Sequence, residues 1–231
     1  MTEPLSKVIA ETEAALQQRW ARSGATADPL GEARHERAAR QTALERVREQ
    51  VPHHCRGTRA ELVARMADKL FRAVDDWRWG DANLLMLGST GAGKTTAAAY
   101  LLRRLCAFGV DQGGEALELA KLIRWQSCRE LTNTVREYPL GEGMPETIMR
   151  CQNARLLILD DLGAGDDKGA LERVLNVRYE RGWATITTSG LQYRELVTAL
   201  GEHLVRRLVE THGKQGRVLQ AFAKPTAEAK P

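Results

Sequence analysis

From about residue 80 onward the sequence encodes an α/β domain with a mainly parallel sheet. Three observations carry that reading. Short apolar runs alternate with amphipathic segments, the pattern of strands alternating with helices. The apolar run Leu84–Leu87 is followed by "GSTGAGKT" at 88–95 and then by an alanine-rich helical stretch, a strand–loop–helix order. The run "LLILDD" at 156–161 has four consecutive apolar residues, as expected of a strand covered on both faces. It ends in two adjacent carboxylates, Asp160 and Asp161, which need water or a cation if they are enclosed.

The chain before residue 80 is helical in pattern. Leu5, Val8, Ile9, Thr12, Leu16 and Trp20 recur at helical spacing, and "SGATADPLG" breaks the pattern. A second helix runs through "EARHERAARQTALERVREQV" with a thin apolar stripe of Ala39, Ala43, Leu44 and Val47. Its arginines, Arg34, Arg37, Arg40, Arg46 and Arg48, are interleaved with acids, which suits a solvated face better than a nucleic-acid surface. After the break "PHHCRG", a third helix carries Leu62, Val63, Met66, Leu70, Phe71 and Val74 on one side. Strands are then expected at "NLLML", "LIRWQ", "RLLILDD" and "ATITTS". Helices are expected at "AAAYLLRRLCAF", "CRELTNTVREY", "LERVLNVRYERG" and "YRELVTALGEHLVRRL". The end, "AKPTAEAKP", lacks an apolar face and is expected to be disordered. The division is therefore an N-terminal helical, partner-binding region over 1–55, a core over 56–222 and a tail over 223–231.

The net charge of +4 permits a nucleic-acid partner without requiring one. No apolar stretch approaches the ~18 residues that span a membrane, and the first residues lack the apolar segment of a signal peptide. A cytoplasmic protein with no membrane partner is expected. Cys55, Cys106, Cys128 and Cys151 are scattered and read as reduced, structural thiols. His53, His54 and Cys55 could form half a metal site, but no second half follows at ligand spacing.

The run Gly88, Ser89, Thr90, Gly91, Ala92, Gly93, Lys94 and Thr95 matches GxxxxGK[ST] in full. Its glycines let the backbone curl so that N–H groups and the following helix N-terminus form an anion site. Lys94 is placed for the β- and γ-phosphates, the Thr95 hydroxyl for Mg²⁺ and Thr96 for the α-phosphate. With no NKxD-type guanine reader, the cofactors expected are ATP and Mg²⁺. Strand alternation then splits the carboxylates, with Asp160 assigned to the metal and Asp161 to the attacking water. Asp161 is shorter than the Glu often found at that place, so hydrolysis is expected to be slow or partner-dependent.

Together with "WQSCREL", "ARLLILDDLG", "LERVLNVRYERGWATITTSGL" and "YRELVTALGEHLVRRL", the P-loop resembles the AAA+ ATPases of the DnaC/IstB type over about residues 60–210. The resemblance implies a P-loop NTPase with an αβα core and no C-terminal helical lid. It implies an ATPase that assembles as a homo-oligomeric ring or spiral in the presence of ATP and acts on DNA. The partner it implies is a replicative helicase, which the protein would load, or a transposase that it would help on target DNA. The family's polar sensor, usually Asn, falls near Thr188, Ser189 and Gly190, where Ser189 or Thr188 could orient water. Arg207 lines up with the family's arginine finger, flanking the stripe Leu196, Leu200, Leu204 and Leu208, and Arg206 is the second choice. The catalytic set expected is thus Asp161, Ser189 and Arg207. A nucleotide-gated binding module with little turnover is a further reading. A small-molecule kinase would need an acceptor pocket and an arginine-rich lid after the core.

Overall fold

Five parallel strands in the order β2-β3-β4-β1-β7 form the central sheet. They belong to a computed structural model that describes residues 29–108, 122–139 and 141–222. The strands are β1 (Leu84–Gly88), β2 (Ile123–Ser127), β3 (Leu156–Leu162), β4 (Thr185–Ser189) and β7 (Arg217–Ala221). A two-stranded hairpin, β5 (Glu210–Thr211) with β6 (Lys214–Gln215), stands apart from this sheet. The expected helix with Leu5 to Trp20 and the tail 223–231 lie outside the described residues, as do the side chains of Arg34, Arg37, Ala39 and Arg40.

The apolar strands are apolar because both faces are covered. Leu84 and Met86 of β1, Leu156 and Ile158 of β3 and Ile186 of β4 face one hydrophobic cluster. That cluster is closed by α1 (Pro29–Gln50), α2 (Arg59–Ala64), α3 (Asp68–Asp76) and α4 (Lys94–Phe108). Leu85, Leu87, Leu157 and Leu159 face the other cluster. It is built with α5 (Cys128–Glu137), α6 (Glu146–Asn153), α7 (Lys168–Glu180), α8 (Tyr193–Leu200) and α9 (Glu202–Val209). Each fully buried leucine in these layers contributes about 1.5–3 kcal/mol. The α/β architecture expected from the alternation of apolar and amphipathic segments is the one found.

Several features differ from the sequence reading. Helix α6 was not expected, and the helix expected over "YRELVTALGEHLVRRL" is two, α8 and α9, broken at Gly201 with φ 87°. The single third helix is two helices, because the chain breaks at Arg65–Ala67 while its apolar stripe continues across the break. Thr58 starts α2 with a reciprocal capping box to Glu61, and the Ala67 N–H leaves the helical ladder to donate to the Ala92 carbonyl at 3.2 Å. A fifth sheet strand, β7, follows α9 and pairs with β1 from Leu84↔Arg217 to Gly88↔Ala221. Finally, α1 packs on α4 through buried Ala43 and Val47, so this part of the region expected over 1–55 joins the main core. The Gln50 side chain at its end accepts a hydrogen bond from the Trp125 N–H of edge strand β2 at 3.1 Å. Among the described residues no helix is long and apolar enough to cross a membrane, and all four cysteines are free and buried.

Candidate nucleotide site

Strand β1 delivers the chain to the carboxyl end of the sheet, and residues 89–93 turn it back into α4. Gly88 and Gly93 take φ of 122° and 85°, where L side chains are strained. The space is closed as well. A Cβ on Gly88 would overlap the Ala221 carbonyl of β7, and one on Gly93 would overlap the Arg65 carbonyl and the Met66 Cα. The loop is thus seated between the last strand and the α2–α3 break. The positive end of α4 stands behind it.

Lys94 is buried, and its ammonium donates to the Gly88 and Ser89 carbonyls, each at 2.8 Å. Burial lowers its pKa, and the nearby carboxylates of Asp161 and Asp160 oppose that shift. On β3, Asp160 is also buried. Its Oδ1 accepts from the Thr95 hydroxyl at 3.0 Å and from the Thr188 hydroxyl at 2.7 Å. Burial pushes its carboxyl above the usual range; the Thr188 and Thr95 hydrogen bonds pull it back, Asp161 raises it and His54 lowers it. A buried carboxylate with a hydroxyl oxygen beside it is a donor set that fits Mg²⁺, a hard cation that takes oxygen ligands.

Asp161 does not follow regular strand alternation. The β3–β4 register shifts between Leu159 and Leu162, and Asp161 has φ 58°, the one positive φ outside glycine among the described residues. Its N–H donates to the Thr188 hydroxyl at 2.9 Å, and its side chain is exposed. A β-bulge therefore re-aims the second carboxylate. Thr188 is the hub of this arrangement, accepting from the Asp161 backbone while donating to Asp160.

Ser189 lies one residue further and is engaged elsewhere. Its hydroxyl donates to the Leu162 carbonyl at 2.6 Å and accepts from the Leu191 N–H at 3.1 Å. Thr96 is buried, and its hydroxyl shares a 3.7 Å hydrogen bond with the Cys55 thiol. His53 and His54 are exposed on the turn that places Cys55 there. Of the residues expected in one site, the structure gathers Gly88–Thr95, Asp160 and Asp161, and it engages Ser189 and Thr96 in other contacts.

Solved structures share this architecture. DnaI matches at a TM-score of 0.52 with 19% identity, covering 66% of this chain and 80% of its own. A candidate primosome component from Streptococcus pyogenes serotype M3 matches at a TM-score of 0.51 with 17% identity, covering 78% of this chain and 97% of its own. This chain shares their α/β fold, with the phosphate loop at the end of β1 in a five-stranded parallel sheet. At these identities the likeness is one of fold. No protein-family model matches the sequence, and no curated protein matches it.

In this fold Arg207 lies on α9, with its guanidinium 3.6 Å from the ring centre of Tyr179 on α7. Its Nε and Nη1 are enclosed without a hydrogen-bond partner. Arg206 is exposed and lies 3.8 Å from Glu210. Buried Asn83, just before β1, fixes the backbone here. It donates to the Arg207 and Glu210 carbonyls at 2.9 and 3.0 Å and accepts from the Thr185 N–H at 2.7 Å. Tyr179 and Asn83 are the residues that the sequence reading did not place; Thr188, near the end of β4, was already named there beside Ser189 as a residue that could orient water.

Proposed function

We propose that this chain is a Mg²⁺-dependent ATPase that assembles on DNA in its ATP-bound form and loads a replicative helicase. The observation that carries the ATPase reading is the Thr95–Asp160–Thr188 cluster at the head of the P-loop helix, with hydroxyls at 3.0 and 2.7 Å from one carboxylate oxygen. An incoming triphosphate takes the loop N–H groups and draws Lys94 from its carbonyl partners, because a charge-assisted bond to phosphate is the stronger one. Thr95 and Asp160 would hold Mg²⁺, which when bound would neutralise charge on the phosphates. Asp161 orients the attacking water, and Thr188 keeps both carboxylates in place. Arg207 of a neighbouring copy approaches the γ-phosphate. The helicase and DNA are supported by the blocks that resemble the DnaC/IstB type and by a fold shared with DnaI and a candidate primosome component.

The test has two arms. Purified protein should hydrolyse ATP with Mg²⁺, faster with DNA, and Lys94→Ala should abolish nucleotide binding. Affinity purification should recover a hexameric helicase; recovery of a transposase alone would move the assignment to a transposition helper, whose core chemistry is the same. ATP binding without turnover under any partner condition would leave the nucleotide-gated binding module, a reading that the short, bulge-borne Asp161 favours.

A further inference from the structure

The sheet order fixes which way a nucleotide lies on the loop. The carboxyl ends of all five strands point to the same edge, where α/β ligands bind. The residues that suit the terminal phosphate and its metal, Asp160, Asp161 and Thr188, stand on β3 and β4, to one side of β1. A triphosphate laid along the loop with its terminal end toward them must carry its base toward the other side of β1, where β7 ends. Ala221 is the register partner of Gly88, and its carbonyl is so close that a Cβ on Gly88 would overlap it. The residue that follows therefore leaves β7 beside the start of the loop. That residue is Phe222, the most exposed large apolar side chain among the described residues at 63%. Its neighbours Leu219 and Ala221 pack on the core, so the strand is anchored up to the last position before it.

We propose that Phe222 is the base-stacking residue of the nucleotide site, covering one face of the purine of ATP. This rests on the nucleotide-binding reading above. An aromatic face serves any purine, so Phe222 supplies affinity for the base and not a choice between adenine and guanine. It also accounts for an exposed aromatic ring where β7 ends beside the phosphate loop.

Titration with Mg-ATP, Mg-GTP and Mg-tripolyphosphate tests the assignment. Phe222→Ala should weaken ATP and GTP alike, by about tenfold, and leave tripolyphosphate binding unchanged. Phe222→Leu, which keeps apolar bulk without a π-face, should behave like the alanine variant. Equal loss for tripolyphosphate, unchanged ATP affinity in Phe222→Ala, or wild-type affinity in Phe222→Leu would each overturn it. Failure of the wild-type protein to bind either nucleotide or tripolyphosphate would instead overturn the nucleotide reading itself.

Discussion

Asp160 shows how one buried carboxyl serves function at the expense of stability. Its pKa lies above the usual value because burial outweighs the two hydroxyl hydrogen bonds. Metal binding requires the carboxylate, so Mg²⁺-dependent nucleotide affinity should decline with falling pH while ordinary carboxylates are still ionised. For the free protein the sign is opposite. A carboxyl with a raised folded pKa stabilises the fold below its unfolded pKa and loses that contribution as pH rises through the folded value. Asp160→Asn should therefore stabilise the free protein at neutral pH by about 1 kcal/mol, a rise of a few degrees in melting temperature. The gain should vanish in acid below the usual carboxylate range, and Mg²⁺-dependent binding should be lost at every pH; an unchanged neutral melting temperature would contradict the burial argument. Thr188→Val removes a donor to Asp160 and the acceptor for the Asp161 N–H. Turnover should fall at least tenfold with a smaller change in KM, and Thr188→Ser should restore most of it. The pair of carboxylates was legible in the sequence because it ends an apolar run. The bulge beneath it was not, because nothing in "LLILDD" records that Thr188 holds the Asp161 backbone.

At the scale of elements, α7 is fixed by an arginine rather than by apolar packing alone. Arg178 is 1% exposed, and its guanidinium donates to Thr185 Oγ1 at 2.9 Å and to the Cys151 carbonyl at 2.9 Å, and also to the Ala154 and Ala184 carbonyls. It joins α7 to the end of α6 and the start of β4. Burial lowers its pKa to about 9, yet its acceptors satisfy it as a cation with no carboxylate in the set. Arg178→Leu should cost about 2–4 kcal/mol by orphaning those carbonyls, measured as the urea midpoint at constant m. Gly93→Ala tests the seat of the phosphate loop in the same way: the strained φ and the overlap with the Arg65 carbonyl should disturb both the α2–α3 break and phosphate binding. The strands β1 and β3 were legible because fully covered strands are continuous apolar runs, and β2, "IRWQS", and β4, "TITTS", because β-branched and aromatic residues stand between amphipathic helical segments. Strand β7, "RVLQA", was missed because an edge strand with exposed Val218 lacks that run. The α2–α3 break was missed because its cause, a hydrogen bond to Ala92 in the loop, is distant in sequence.

For the whole molecule, the proposed assembly turns on a cation that is not freely available in a single copy. Arg207 gains from lying over Tyr179, where a cation–π contact contributes about 0.5–2 kcal/mol. It loses by enclosing Nε and Nη1 without partners, at about 1–3 kcal/mol for a buried donor left unsatisfied. The two effects are similar in size, so an anionic acceptor on a neighbouring copy can draw the guanidinium off the ring. Turnover per copy should then rise with protein concentration, and Arg207→Ala should remove that rise while leaving nucleotide binding to the isolated copy intact. Tyr179→Leu removes the restraint and should lower the concentration at which turnover rises, by about three- to tenfold, whereas Tyr179→Phe keeps the aromatic face and should match the wild type. Turnover per copy that is independent of concentration in the wild-type protein would remove Arg207 from the reaction. A concentration dependence abolished by Arg207→Ala but unmoved by Tyr179→Leu would keep Arg207 and remove the restraint.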